Sequence, residues 1–186
     1  MTRPFSLERL EQLLVRPHTF RRHDVDYSVS AAMLMARFEA DLGVSSTYYV
    51  MTTSPFYSPT EAFALATVVS GLGHQVGWHV DGRKTLVSRI AQLAPDTQIS
   101  FHCPRPSDLW RRFPGVRSAY DPIWKDAYYA DSRGRFAYGD PEDAPAGTTI
   151  QINLHPEWWF EPRWHQQVSE REYADFFHEP KSSLAA

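Results

Sequence analysis

Two carboxylates two positions apart are the first feature of this sequence that could do chemistry. Asp24 and Asp26 lie in Arg21-Arg22-His23-Asp24-Val25-Asp26-Tyr27, directly after Thr19-Phe20. These flanking residues favour an extended strand, in which side chains two positions apart point the same way. Like charges so close repel each other unless a divalent metal or an arginine lies beside them. The alternative is a strand-to-helix turn in which Asp26 or Ser28 caps the following helix, and the local sequence leaves both interpretations open.

Two later histidines follow the same pattern of a polar residue near the end of a strand. His79, in Gly77-Trp78-His79-Val80-Asp81, is the best metal ligand on offer, because neutral imidazole binds zinc and similar cations well. Its alternative is a packed or exposed strand histidine. His102, in Phe101-His102-Cys103-Pro104, fits three roles: a third metal ligand, a substrate contact or a partner for a carboxylate.

A third histidine and a third acid suggest proton transfer. His155 follows the apolar strand Ile152-Asn153-Leu154 and would be free to donate a proton at neutral pH. Asp131 could hold its imidazole in one tautomer, although an aspartate opening a Ser-Arg-Gly turn is the competing interpretation. Trp158, with its neighbour Trp159, either lines the rim of a pocket or packs against the end of the barrel.

Other candidates for chemistry are set aside on spacing. His74 starts the strand that His79 ends, and His23 faces away from Asp24, so both are predicted to be structural. Cys103 is adjacent to His102 and would face the opposite side, which argues against a thiol nucleophile. The chain has no Gly-x-Ser-x-Gly, phosphate-loop or Gly-x-Gly-x-x-Gly motif, so serine esterases, nucleotide hydrolases and dinucleotide enzymes lose support.

Alternating strands and helices are needed to bring these residues together. Helices are predicted at Ser6–Val15, Ser28–Leu42, Thr60–Gly71, Arg83–Leu93 and Ser169–His178, and strands at His18–Asp26, Ser46–Thr52, His74–Val80, Gln98–Cys103, Ser118–Tyr120, Ala127–Ala130 and Thr148–Leu154. This order predicts a parallel sheet covered by helices, whose sites gather at the carboxyl ends of the strands. The side chains expected at that edge are Asp24, Asp26, His79, Asp81, His102, Asp131 and His155.

Length and composition limit the class of protein. The 186 residues fit one domain, with its core over about residues 18–178, and a net charge of −3 gives no reason to expect nucleic acid or an anionic membrane as partner. No protein partner is predicted either. The single Cys103, the charged N-terminus and the lack of a long apolar segment predict a cytoplasmic location without a membrane span.

The ordered set of motifs resembles the polysaccharide deacetylase family, the NodB-like carbohydrate esterases, and in particular its cytoplasmic branch associated with surface-polysaccharide synthesis. The motifs are Arg22-His23-Asp24-Val25-Asp26, Gly73-His74-Gln75-Val76-Gly77-Trp78-His79, Phe101-His102-Cys103-Pro104, Asp131-Ser132 and Leu154-His155-Pro156. The match runs from Phe20 to Trp159. It implies a distorted (β/α)7 barrel, similar to a TIM barrel, that removes N-acetyl groups from a carbohydrate substrate with one divalent metal ion, zinc or else cobalt, manganese or nickel.

The resemblance also implies roles for individual residues. It makes Asp24 the catalytic base, Asp26 and His79 metal ligands, and His155 the general acid supported by Asp131. Apart from the resemblance, substrate contacts are expected from Tyr57, Trp158 and Asp81, and the position of the loop alone indicates that a backbone N–H after Tyr57 meets the oxyanion.

The chain departs from the family pattern at three places. Arg83 stands where the family has its second metal histidine, so His102 or Asp81 must fill that place, or else the protein is a non-catalytic sugar-binding relative. His102 also stands where the family has an arginine that steadies the base. Val25 separates the two aspartates, so Asp24 and Asp26 could exchange their roles as base and ligand. The same chemistry would also serve another amide or an O-acetyl ester.

Overall fold

The computed structural model describes residues 5–81, 97–104, 107–110, 112–121 and 126–161. Within them the helices are α1 (Leu7–Val15), α2 (Val29–Asp41), α3 (Pro59–Gly71) and α4 (Glu157–Phe160). The strands are β1 (Thr19–Val25), β2 (Thr47–Val50), β3 (Gln75–Val80), β4 (Thr97–Phe101), β5 (Val116–Ser118), β6 (Ala127–Ala130) and β7 (Ile150–Leu154).

All seven strands form one parallel sheet in the order β5-β4-β3-β2-β1-β7-β6. The sheet curls into a half-barrel that is compatible with a TIM-like fold. Among the described residues no ladder of hydrogen bonds joins β5 to β6, so the barrel is not closed. The predicted parallel α/β architecture is therefore confirmed, whereas full closure is not seen in this part of the chain.

Side chains bridge the seam between β5 and β6. Gln151 on β7 donates from Nε2 to the carbonyl oxygen of Ala119, just after β5, at 3.2 Å. The Arg22 guanidinium lies 5.1 Å from the ring centre of Tyr120 and 5.8 Å from that of Tyr128, which belong to opposite sides of the seam. The inside of the curled sheet is therefore filled by polar and aromatic side chains.

Serine caps begin the three longer helices. Ser28 accepts a hydrogen bond from the backbone of Ala31 at 3.1 Å, and Ser58 with Glu61 forms a capping box at the start of α3. Because Ser28 is the cap of α2, Asp26 is not needed for that purpose. The alternative interpretation, in which Asp26 or Ser28 caps the following helix, is therefore confirmed for Ser28 and wrong for Asp26.

The alternation along β1 separates two environments. His23 points to the helical layer and bonds to Glu39 of α2, whereas Arg22 and Asp24 point into the curl of the sheet. The apolar core fills the helical side and includes Ile150, Ile152 and Leu154 of β7.

Most element bounds agree with the sequence within a few residues. The strand predicted at Ser118–Tyr120 lies instead at Val116–Ser118, and the short helix α4 was not predicted. The helices predicted at Arg83–Leu93 and Ser169–His178 lie outside the described residues, as does Arg83 itself. No helix among the described residues is long and apolar enough to cross a membrane.

Candidate functional site

Three side chains from the ends of three strands of the sheet converge in a cluster suited to a metal ion. Asp26 follows β1, His79 lies near the end of β3 and His102 follows β4, and each brings one ligand atom within 4.8 Å of the others. Asp26 Oδ1 lies 3.1 Å from His79 Nε2 and 3.3 Å from His102 Nδ1, and the two nitrogens are 3.1 Å apart. Ligands that bind one ion at about 2 Å each can be at most about 4 Å apart. These three residues, called the triad below, could hold one divalent cation.

The electrostatics of the triad favour a cation in the same place. Burial alone would raise the pKa of Asp26, but His102 and His79 outweigh it and hold that pKa well below its ordinary range. Burial also opposes the charging of His102, yet Asp26 raises its pKa to about 10. With no cation bound, these charges favour a proton on His102 beside Asp26, and a cation would take the place of that proton.

Asp24 is held so that one of its two oxygens is fixed and the other is available. Its Oδ2 accepts hydrogen bonds from Arg22 Nη2 at 2.8 Å and Asn153 Nδ2 at 2.9 Å, with Ser100 Oγ at 3.4 Å. Its Oδ1 is buried, has no hydrogen-bond partner in the part of the chain that the structure describes, and lies 3.7 Å from His79 Nδ1. Oδ1 is therefore the oxygen that can accept a proton at the site.

Arg22 keeps Asp24 ionised although both are buried. Burial alone would raise the pKa of Asp24, but the Arg22 guanidinium, followed by two histidines, holds it below its ordinary value. The guanidinium itself lies 5.6, 5.1 and 5.8 Å from the ring centres of Tyr49, Tyr120 and Tyr128. Ring faces attract a cation, so these tyrosines offset part of the cost of burying it. Arg22 thus stands beside the predicted base, where the family resemblance implied an arginine on another strand.

His155 is oriented by Asp131, as the sequence argument required for a proton donor. Its Nδ1 lies 2.7 Å from Asp131 Oδ1, and because an ionised carboxylate only accepts, Nδ1 carries the hydrogen. The Nε2 atom lies 3.7 Å from Asp26 Oδ2, so the second nitrogen is directed to the triad. Burial works against the charged ring, but the bond to Asp131 raises the pKa of His155 to about 10. Trp159 Nε1 donates to the other oxygen of Asp131 at 2.8 Å.

Glu157 is a further acid near the site that sequence reasoning missed. It is 0% exposed, and neither carboxyl oxygen has a hydrogen-bond partner among the described residues. Burial raises its pKa well above the ordinary value, and the charge of Asp26 adds to this while His155 opposes it. A carboxyl group in these surroundings is held in its neutral form.

None of the three predicted substrate contacts, Tyr57, Trp158 and Asp81, belongs to the triad, and two of them are buried. Tyr57 is 8% exposed, and its hydroxyl donates to the carbonyl of Val25 at 2.6 Å and accepts from the amide of Met51 at 3.1 Å. Trp158 is 3% exposed and belongs to the apolar core, while half-buried Asp81 is not a member of the triad.

The backbone N–H that follows Tyr57 is that of Ser58. It already donates to Glu61 Oε2 at 2.7 Å in the capping box of α3. It is therefore not available to an oxyanion, and that expectation is wrong.

The residues that position the site have a common signal in the sequence. The three residues that contact Asp24 Oδ2 each lie two positions before a site residue. These are Arg22 before Asp24, Ser100 before His102 and Asn153 before His155. Because strand side chains alternate, each shares a face with the residue that it precedes. The same period on β3 gives Gly77 before His79, where an added Cβ would lie 2.6 Å from the ring of Tyr49.

No protein-family model, no curated protein and no solved structure matches this chain. What the site can do is therefore inferred from its geometry and electrostatics.

Proposed function

We propose that this protein is a metal-dependent hydrolase that removes an N-acetyl group from a sugar or polysaccharide precursor in the cytoplasm, in a barrel of the polysaccharide deacetylase type. One observation carries the proposal. A triad with the chemistry of a cation site is flanked by an available carboxylate oxygen on Asp24 and by an imidazole nitrogen on His155, at 3.7 Å from different members of the triad.

The resident ion is one divalent cation held by Asp26, His79 and His102, and zinc suits two imidazoles and a carboxylate best. Cobalt, manganese and nickel are the alternatives. When bound, the cation would supply positive charge for the acetamide carbonyl oxygen and would lower the pKa of a water molecule.

Asp24 acts as general base through Oδ1. It accepts a proton from the attacking water while Arg22 and Asn153 hold Oδ2 in place. The water oxygen bonds to the acetyl carbon as the proton leaves. A base placed in this way is worth about 10²- to 10⁴-fold in rate.

His155 acts as general acid on the other side of the scissile bond. Its Nε2 proton passes to the sugar nitrogen as the carbon–nitrogen bond breaks, which gives acetate and a free amine. Asp131 keeps the ring oriented through Nδ1 and stabilises its charged form before transfer.

The test is acetate and amine release from N-acetylglucosamine oligomers by purified protein supplied with zinc, cobalt, manganese or nickel. We expect turnover that a chelator removes and the metal restores. Asp24→Asn should lower the rate by about 10²- to 10⁴-fold. Its zinc affinity per folded molecule should stay near that of the unchanged protein. Because the variant leaves the Arg22 guanidinium buried without its carboxylate, the thermal midpoint should fall, and circular dichroism at the assay temperature separates loss of the base from loss of the fold.

Three outcomes would contradict the proposal. Zinc-loaded protein that binds the oligomers without releasing acetate would favour the non-catalytic sugar-binding alternative. Release of acetate only from O-acetylated sugars would show that the substrate is an ester and not an amide. Failure of the unchanged protein to bind any of the four metals would remove the mechanism altogether.

A further inference from the structure

The loop between β2 and α3 is fastened to the end of the strand that carries both aspartates. The Tyr57 hydroxyl donates to the carbonyl of Val25 at 2.6 Å, and Ser54 Oγ donates to the carbonyl of Asp26 at 2.8 Å. The backbone of Phe56 in turn donates to Ser54 Oγ at 3.1 Å. Phe56 is thus connected through Ser54 to the backbone of a member of the triad.

The side chain of Phe56 is exposed, whereas that of the next residue is buried. Phe56 is 45% exposed and Tyr57 is 8% exposed. Its ring lies 4.9 Å from the ring of Tyr27, the residue directly after Asp26, and Tyr27 lies 6.3 Å from Trp158 in the core. The exposed ring is therefore backed by two buried aromatic rings, so its position is set before any ligand arrives.

We propose that Phe56 is a stacking platform for a pyranose ring of the substrate, namely the sugar unit next to the one whose acetyl group is removed. This inference rests on the proposed function. A flat apolar ring on a loop fastened to the backbone of Asp26 suits the apolar face of a sugar, and it supplies contact area without charge. The ring of Phe56 packs on Tyr27, the residue directly after Asp26, and not on a member of the triad, so the stacked sugar is the neighbouring unit.

The inference also changes which aromatic residue of the loop is expected to contact the substrate. Sequence reasoning chose Tyr57, but the hydroxyl of Tyr57 fastens the loop to β1 and β2. Tyr57 holds the loop, and Phe56 presents the surface. Removal of the Phe56 ring should weaken binding of a chain of sugars without changing the chemical step.

The experiment compares the zinc-loaded protein with Phe56→Ala and Phe56→Trp, and uses Phe63→Ala as matched control. Phe63 is 55% exposed on α3, where its ring contacts Trp78 at 5.4 Å. The probes are the N-acetylglucosamine trimer and monomer, with binding measured by calorimetry on the Asp24→Asn background and turnover measured with Asp24 intact.

We expect Phe56→Ala to raise Kd and KM for the trimer by roughly 3- to 10-fold, with kcat, the monomer affinity and the thermal midpoint unchanged. Phe56→Trp should restore trimer affinity, and Phe63→Ala should change neither ligand. The inference is overturned by an unchanged trimer affinity in Phe56→Ala, by an equal loss for the monomer or in Phe63→Ala, or by no saturable binding of the trimer to the unchanged protein.

The two proposals fail separately. Trimer binding that depends on Phe56 in a protein that releases no acetate would support the platform and contradict the hydrolase. Acetate release with the same KM in Phe56→Ala and the unchanged protein would support the hydrolase and overturn the platform.

Discussion

Two buried clusters of histidine and carboxylate share strand β1, and they differ in how completely their polar atoms are paired. On the helical side, Glu39 Oε1 lies 2.8 Å from His23 Nε2 and 2.5 Å from Ser46 Oγ. Its Oε2 accepts a hydrogen bond from the Tyr48 hydroxyl at 2.6 Å. Both oxygens of this carboxylate are satisfied inside the protein.

Inside the curled sheet the pairing is incomplete. Oδ1 of Asp24 and Nδ1 of His79 are buried with no hydrogen-bond partner among the described residues, and Oδ1 of Asp26 has the two histidine nitrogens of the triad beside it. In the helical cluster one ring nitrogen, His23 Nδ1, is also unpaired among these residues, but the carboxylate is not. A buried polar group without a partner costs stability, so such groups persist where a ligand or a reaction needs them. The difference teaches that similar residues on one strand can stabilise the fold on one face and remain available for chemistry on the other.

The largest effect is expected from Glu39→Ala. It leaves the donors of His23, Ser46 and Tyr48 buried and unpaired, which should cost about 3–5 kcal/mol of unfolding free energy in chemical denaturation. Zinc affinity per folded molecule should not change, because Glu39 lies on the other side of the sheet. An unchanged denaturation midpoint would contradict the claim that the cluster around Glu39 stabilises the fold.

Asp26→Asn should mainly lower zinc affinity, whereas Glu39→Ala mainly lowers the free energy of unfolding. Zinc affinity measured by competition with a chelator should fall at least about 100-fold, or about 2.7 kcal/mol, and the zinc-induced rise of the thermal midpoint should disappear. Asp140→Asn is the matched control, because Asp140 pairs with Arg9 at 2.7 Å outside the triad. Equal loss of zinc affinity in both variants would show that the triad is not the zinc site.

Glu157→Gln tests the neutral acid near the site. The folded protein has a raised Glu157 pKa, so its carboxyl stays protonated where the unfolded chain ionises, and stability falls as pH rises above roughly 4.5. The glutamine variant lacks this ionisation. Its stability advantage in denaturation should be near zero at pH 4 and should grow as pH rises from roughly 4.5 to 8, by at most about 1.4 kcal/mol per pH unit. An advantage independent of pH would mean that Glu157 is ionised in the fold.

A gradual loss of stability with rising pH is expected from His102 in the metal-free protein. Its raised pKa of about 10 gives stability that is complete below roughly pH 6.5 and is lost as pH rises toward 10, by at most about 1.4 kcal/mol per pH unit. Glu39 behaves oppositely, because burial is outweighed by His23 and its pKa is lowered, so its contribution is lost as pH falls below roughly 4.5.

Zinc must displace the proton that His102 shares with Asp26. Titration calorimetry at pH 7.5 in buffers of different ionisation heat should therefore detect proton release, and His102→Ala should reduce it. Zinc binding with no release of protons would contradict the protonated state of His102.

The sequence predicted the convergence of Asp26, His79 and His102, because each ends a strand of a parallel sheet and such ends share one edge. It did not predict Arg22 as the partner of Asp24, although their two-residue spacing contained that information. Glu39 could not be found in this way, since its partner His23 is 16 positions away and their contact depends on how α2 packs on the sheet.

Barrel closure and the exposed ring of the β2–α3 loop were beyond sequence reasoning for other reasons. Closure depends on strand tilt and stagger summed over the whole sheet, which no local pattern encodes. A loop has no fixed period, so the choice between Phe56 and Tyr57 could not be made before the hydrogen bonds of Tyr57 were known.

The side-chain bridge across the open seam links catalysis to the contact between the two edges of the sheet. Arg22 orients Asp24 and also touches the rings of Tyr120 and Tyr128 from the two edges of the sheet. Loss of that one guanidinium would disable the base and weaken the contact across the seam, where the hydrogen bond from Gln151 to Ala119 would remain. Reactivity and the connection between the two edges of the half-barrel therefore depend in part on the same residue.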